Sequence, residues 1–116
     1  SYSNLVAPTI LTDESIKNPK RIEEYRAKSM RYYHSAAQSG YAPALQSLSF
    51  AYSDGYVTAK DDYAAYKYLQ AYSLAVTRRT PSLDKLLIRF QSGLTPQQIA
   101  SAQREAIAIY SACCRR

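Results

Sequence analysis

The chain has 116 residues, 47% of them hydrophobic and 21% charged, which suits one folded domain with a modest core and excludes wholesale disorder. Three glycines exclude collagen-like architecture, and no apolar run approaches the ~18 residues needed to cross a bilayer. The formal charge of +6 favours an acidic protein, a nucleic acid or an anionic surface as partner.

Residues 1–17 show no helical period and read as an extended or irregular N-terminal segment. Ala7-Pro8-Thr9 suggests an extended start, and Thr12-Asp13-Glu14-Ser15 a short turn. No basic stretch followed by an apolar one marks a signal peptide, and the chain starts at Ser1 without a Met, which leaves its processing and compartment open. Residues 18–116 read as a helical domain. Asn18-Pro19 is an N-cap followed by Pro at the first helical position. Tyr25, Met30, Tyr32, Tyr33, Ala36 and Ala37 then share one helical face, and Gly40 supplies a left-handed stop.

Pro43 opens a second helix with the stripe Ala44, Leu45, Leu48 and Tyr52, ended by Ser53-Asp54-Gly55. Asp61 caps a third helix running to about Thr77, with Ala65, Tyr68, Leu69, Tyr72 and Val76 inward. Thr80-Pro81 starts a fourth, in which Leu83, Leu86, Leu87 and Phe90 are apolar and Ser92-Gly93 is the stop. Thr95-Pro96-Gln97-Gln98 is a capping box that opens a fifth, with Ile99, Ala102, Ala106, Ile109 and Cys113 as its stripe. Strand and hairpin signals are missing, so the fold class is all-α.

A 36-residue offset pairs Ser29 with Ala65, Tyr32 with Tyr68, Tyr33 with Leu69 and Ala37 with Ser73, small on small and large on large. Such a period, with two helices per unit, marks a helical solenoid. The run Tyr32-Tyr33-x-x-Ala36-Ala37-x-x-Gly40-x-x-x-Ala44-x-x-x-Leu48-x-x-x-Tyr52-x-x-Gly55, then Asp61-x-x-x-Ala65-x-x-Tyr68, resembles the Sel-1-like repeats of the tetratricopeptide-like (TPR-like) α-solenoids. The likeness covers about residues 29–73, with a weaker echo over 94–104. Register is lost after Val76, and Ser49 stands where the family usually has Gly at a close helix crossing.

The resemblance implies a short right-handed α-solenoid of about five antiparallel helices, roughly two and a half repeats, with 43–54 and 82–91 as inner helices. It also implies a non-enzymatic adaptor that binds a protein or peptide on its concave face. Some bacterial members neutralise an exported toxin, so an immunity-type inhibitor is an alternative; a periplasmic or secreted location fits such a member, and a cytoplasmic one is also compatible.

On the inner helices, Gln46, Phe50, Ser53, Asp54, Lys85 and Arg89 are the candidate partner-binding residues. Phe50 reads either as an aromatic anchor or as packing against the N-terminal segment or the loop 55–60. Lys85 and Arg89, with Arg78 and Arg79 before them, read as a basic rim for an acidic partner or as an ordinary solvated face. The twelve tyrosines sit mainly at packing positions, so nucleic-acid binding through tyrosine stacking is a minor alternative.

No cofactor, metal spacing, phosphate loop or catalytic carboxylate pair is seen. The single histidine, His34, pairs with Cys113 only if the fold juxtaposes them. Adjacent Cys113 and Cys114 read as one buried helix residue with a partly exposed neighbour, the alternatives being a vicinal disulfide or an intermolecular link.

Overall fold

A computed structural model describes residues Pro19–Cys114. The expected extended start, the turn at Thr12–Ser15 and the Asn18 cap lie outside the described residues. Within them run five α-helices and no strand: α1 (Pro19–Gln38), α2 (Pro43–Asp54), α3 (Asp62–Ala75), α4 (Pro81–Gln91) and α5 (Pro96–Cys113).

Local chemistry sets most of the boundaries. Gly40 adopts φ 96°, and a pair of hydrogen bonds, Tyr41 N–H to the Ala36 carbonyl and Gly40 N–H to the Ala37 carbonyl, closes α1 in a Schellman arrangement. Pro43 sits at the start of α2, whose end is Gly55 at φ 72°. Asp61 and Thr80 accept the N–H groups of Ala64 and Leu83, so each satisfies an otherwise orphaned donor of its helix. At α5 the Thr95 hydroxyl accepts from Gln98 N–H, and the Gln98 side chain accepts from Thr95 N–H, so the capping box forms in full. The third helix stops at Ala75, short of Thr77, because Val76 turns extended at ψ 142°.

Helix α3 is the hub, packed against α2, α4 and α5, while α1 lies on α2 and reaches α5 lightly. One apolar cluster joins Tyr33 and Ala37 of α1, Leu45 and Leu48 of α2, Ala71 of α3 and Ala106 of α5. A second joins Tyr66 and Leu69 of α3, Leu83 and Leu87 of α4 and Ala102 of α5. Tyr72 packs against both. The alanines let the helix backbones approach, and the large side chains fill the grooves that remain.

Two expectations for the core need correction. Tyr32 is 40% exposed, at the edge of the α1–α2 contact beside Tyr41, Ala44 and Ser47. Conversely Tyr66, not expected inside, is buried, and its hydroxyl accepts from Gln103 Nε2 at 3.1 Å. Helix α3 has neighbours on three sides, so it buries more than the single stripe an amphipathic helix needs. At the positions paired by the 36-residue offset, Tyr33 and Leu69 are both buried, and so are Ala37 and Ser73. Ser49 also lies fully buried, its hydroxyl donating to the Ala65 carbonyl at 2.7 Å across the α2–α3 crossing.

The cysteines depart from the expected arrangement. Cys113 and Cys114 are both half-buried, and their sulfurs are joined in a disulfide, which is the vicinal alternative.

Candidate functional site: a groove between two parallel helices

Three residues of α2 face the same way. Gln46, Phe50 and Ser53 are separated by four and three positions, which places them within one turn-to-turn row on a helix of 3.6 residues per turn. On α4 the residues Ser82, Leu86, Arg89 and Phe90 form the matching row. The two rows meet at both ends. Gln46 shares a cavity of about 190 Å3 with Leu83 and Leu86, floored by Tyr72 and Val76 at the end of α3, with Arg78 at its edge. Ser53 shares one of about 240 Å3 with Lys60, Arg89 and Ser92, floored by Asp62 and Ala65 at the start of α3.

These pairings fix the directions of the helices. The early residues of α2 meet the early residues of α4, so the two run parallel, and α3 passes beneath them in the opposite sense. The result is a groove with α2 and α4 as its banks and α3 as its floor. Beside the second cavity, which Phe90 also lines, the Phe50 and Phe90 rings stand edge to face, with centroids 6.4 Å apart. Phe50, 39% exposed, therefore meets the other bank across the groove.

Four of the six expected binding residues, Gln46, Phe50, Ser53 and Arg89, thus line one groove. The other two do not. Asp54 is exposed and accepts the Tyr56 N–H at 3.0 Å, a local turn that points it to the loop. Lys85 lies on the outer rim of α4, one turn before Arg89, and lines neither cavity. The groove also holds residues not expected in it. Phe90 packs against the core cluster, as its stripe implies, and also reaches the groove, and Lys60 and Ser92 sit in connections. One signal was available: Phe50 and Phe90 are the two phenylalanines of the chain.

The groove is electropositive. Arg78, Lys85 and Arg89 have no carboxylate partner within ion-pair distance among the described residues. Arg89 instead stacks its guanidinium 5.8 Å from the Phe90 ring centre. Arg79 is engaged with Asp84 at 3.0 Å, and Lys60 makes a loose pair with Asp62 at 4.0 Å. A planar guanidinium beside hydroxyls and an aromatic shelf can seat a carboxylate by charge-assisted hydrogen bonds.

A third cavity, of about 230 Å3, opens between α1 and α5 above Leu45 and Leu48. It does bring His34 and Cys113 to one place, with Tyr68 beside them. Burial, and then the nearby Lys67 ammonium, hold His34 below the usual histidine range. Burial, with Glu105 second, raises Tyr68 above the usual tyrosine range. With Cys113 in the disulfide, the pair offers no thiolate. Beside this cavity the Tyr63 hydroxyl donates to Glu105 Oε2 at 2.6 Å, and Lys67 Nζ lies 3.3 Å from Oε1. The Tyr63 hydrogen bond, followed by the contacts with Lys67, holds the Glu105 carboxyl below the usual glutamate range.

Among the described residues no group of three or more His, Cys, Asp or Glu is placed to hold a metal ion, and no helix is long and apolar enough to cross a membrane. Comparison of the chain with family models, with curated proteins and with solved structures finds no match.

Proposed function

We propose that this chain is a non-enzymatic interaction module that binds a protein or peptide segment in the groove between α2 and α4. The carrying observation is that one groove unites a solvent-reachable aromatic pair, a cavity at each end and cations without internal partners. Aromatic and Arg side chains in such a setting are the residue types that dominate binding energy at interfaces. The architectural side of the proposal is a short right-handed α-solenoid of Sel-1-like units. It is supported by the parallel α2 and α4, the antiparallel α3, and the burial shared by Tyr33 with Leu69 and by Ala37 with Ser73.

The test compares capture by the immobilised chain with capture by Phe50→Ala and Arg89→Glu variants, using an extract of the native source. A bound protein retained by the parent and lost by both variants, while thermal unfolding shifts little, is the expected result. Equal retention by all three forms would remove the groove from the function.

A further inference from the structure

The Cys113–Cys114 disulfide takes no part in the groove, and stabilisation does not account for it. A disulfide stabilises a fold mainly by closing a long loop of the unfolded chain, and one between neighbours closes no loop beyond its own two residues. The pair ends α5. Cys113 is the last helical residue and Cys114 the C-cap, whose N–H bonds to the Tyr110 carbonyl at 2.8 Å. Both side chains are half-buried against the first apolar cluster.

The two sulfur-bearing residues are placed differently. Cys113 lines the cavity of about 230 Å3 between α1 and α5, together with His34, Gln38 and Tyr68, and Cys114 does not. Leu45 and Leu48, fully buried, close that cavity below, so a small molecule that enters it from solvent is brought to the Cys113 side of the bond. His34 and Gln38 offer it hydrogen-bonding groups. On the other side, Cys114 is followed at once by Arg115 and Arg116. The partial negative charge at the end of α5 disfavours a thiolate at Cys114, and two full positive charges within two residues outweigh it. Attack at Cys113 thus has an entry, and expulsion of Cys114 has a stabilised leaving group.

We infer that the Cys113–Cys114 disulfide is a thiol–disulfide exchange site that takes a small thiol through the cavity between α1 and α5. The thiolate of the incoming molecule attacks the Cys113 sulfur. A new S–S bond forms there as the Cys113–Cys114 bond breaks, and Cys114 leaves as a thiolate that takes a proton from water. The incoming sulfur is oxidised to the disulfide level, and Cys114 is reduced to the thiol. Return attack by Cys114 on Cys113 reverses the step, whereas a second small thiol completes reduction of the pair and leaves as the symmetrical disulfide. The site is separate from the groove between α2 and α4, so neither reading depends on the other.

The oxidised full chain, incubated with reduced glutathione and quenched with a thiol-alkylating reagent, tests this by intact mass and fragment mapping. One glutathione adduct forms first, on Cys113, with the alkyl group on Cys114. Ala112→Trp, at an exposed position that lines the cavity, slows adduct formation by roughly tenfold, because exchange depends on access to the attacked sulfur. In concentrated urea the variant and the parent react alike. Two free thiols in the chain before reduction, a disulfide that survives millimolar glutathione, or a first adduct on Cys114 would overturn the inference. So would equal rates for the parent and a folded Ala112→Trp variant, and the adduct map of the parent decides the matter where that variant fails to fold.

Discussion

At the scale of single residues, Ser49 shows how a polar side chain serves a close crossing. Its hydroxyl is fully buried and donates to Ala65, whose carbonyl lies within α3. Ser49→Ala should cost about 1 kcal/mol, the usual net worth of such a bond, because the carbonyl keeps its helical partner. Ser49→Leu should cost more, about 1–3 kcal/mol, by forcing α2 and α3 apart. Denaturant melts of the two variants check the order. His34 gives a pH-dependent expectation. Its folded pKa is lowered by burial first and by Lys67 second, so the folded state binds its proton less readily than the unfolded chain does. Stability is therefore higher at neutral pH and is lost as pH falls through the unfolded value of about 6.5 toward the folded one. His34→Gln should flatten that part of the stability profile, and an NMR titration should place the His34 pKa below that of a model peptide.

At the scale of elements, each helix start was legible because its signal is local. Asp61, Thr80 and Thr95 need no distant contact to satisfy a helix donor within three residues. Thr95→Ala should destabilise the protein by about 1 kcal/mol. Gln98→Ala in addition should cost less than it does in the parent, since the two side chains cap reciprocally. A double-mutant cycle by thermal unfolding measures that coupling. Helix α3 was less legible. Its buried set, Ala64, Ala65, Tyr66, Leu69, Ala71 and Ser73, wraps the helix instead of following one stripe. A pattern search for a single apolar face reports a surface helix, whereas three packed neighbours demand nearly the whole circumference.

For the whole molecule, the formal charge of +6 is not evenly used. Lys67 and Arg79 are held by carboxylates, and Arg78, Lys85 and Arg89, on and just before α4, have none among the described residues. Under the proposed function such an arrangement would steer an acidic partner to the groove, so the association rate should fall as salt rises. Reversing Arg78, Lys85 and Arg89 to Glu brings the formal charge to zero. The association rate of an acidic peptide, followed by stopped flow, should then become slow and nearly independent of salt. The dissociation rate should respond chiefly to Phe50→Ala and Arg89→Glu, whose side chains line the groove.

Taken by itself, the sequence determined the all-α class, the five helices, their caps and most of their apolar faces, because these depend on spacing and on chemistry within a few residues. It also pointed to Gln46, Phe50, Ser53 and Arg89, since residues three and four apart on a helix must share a face. Only the tertiary structure decided that these two faces oppose each other, that Phe90, packed on the core, also meets Phe50, that Lys60 and Ser92 join the groove, and that Asp54 turns away from it. Helical periodicity records which side of a helix is apolar. It does not record which other helix lies opposite, and the groove exists only where two of them are set apart by a third.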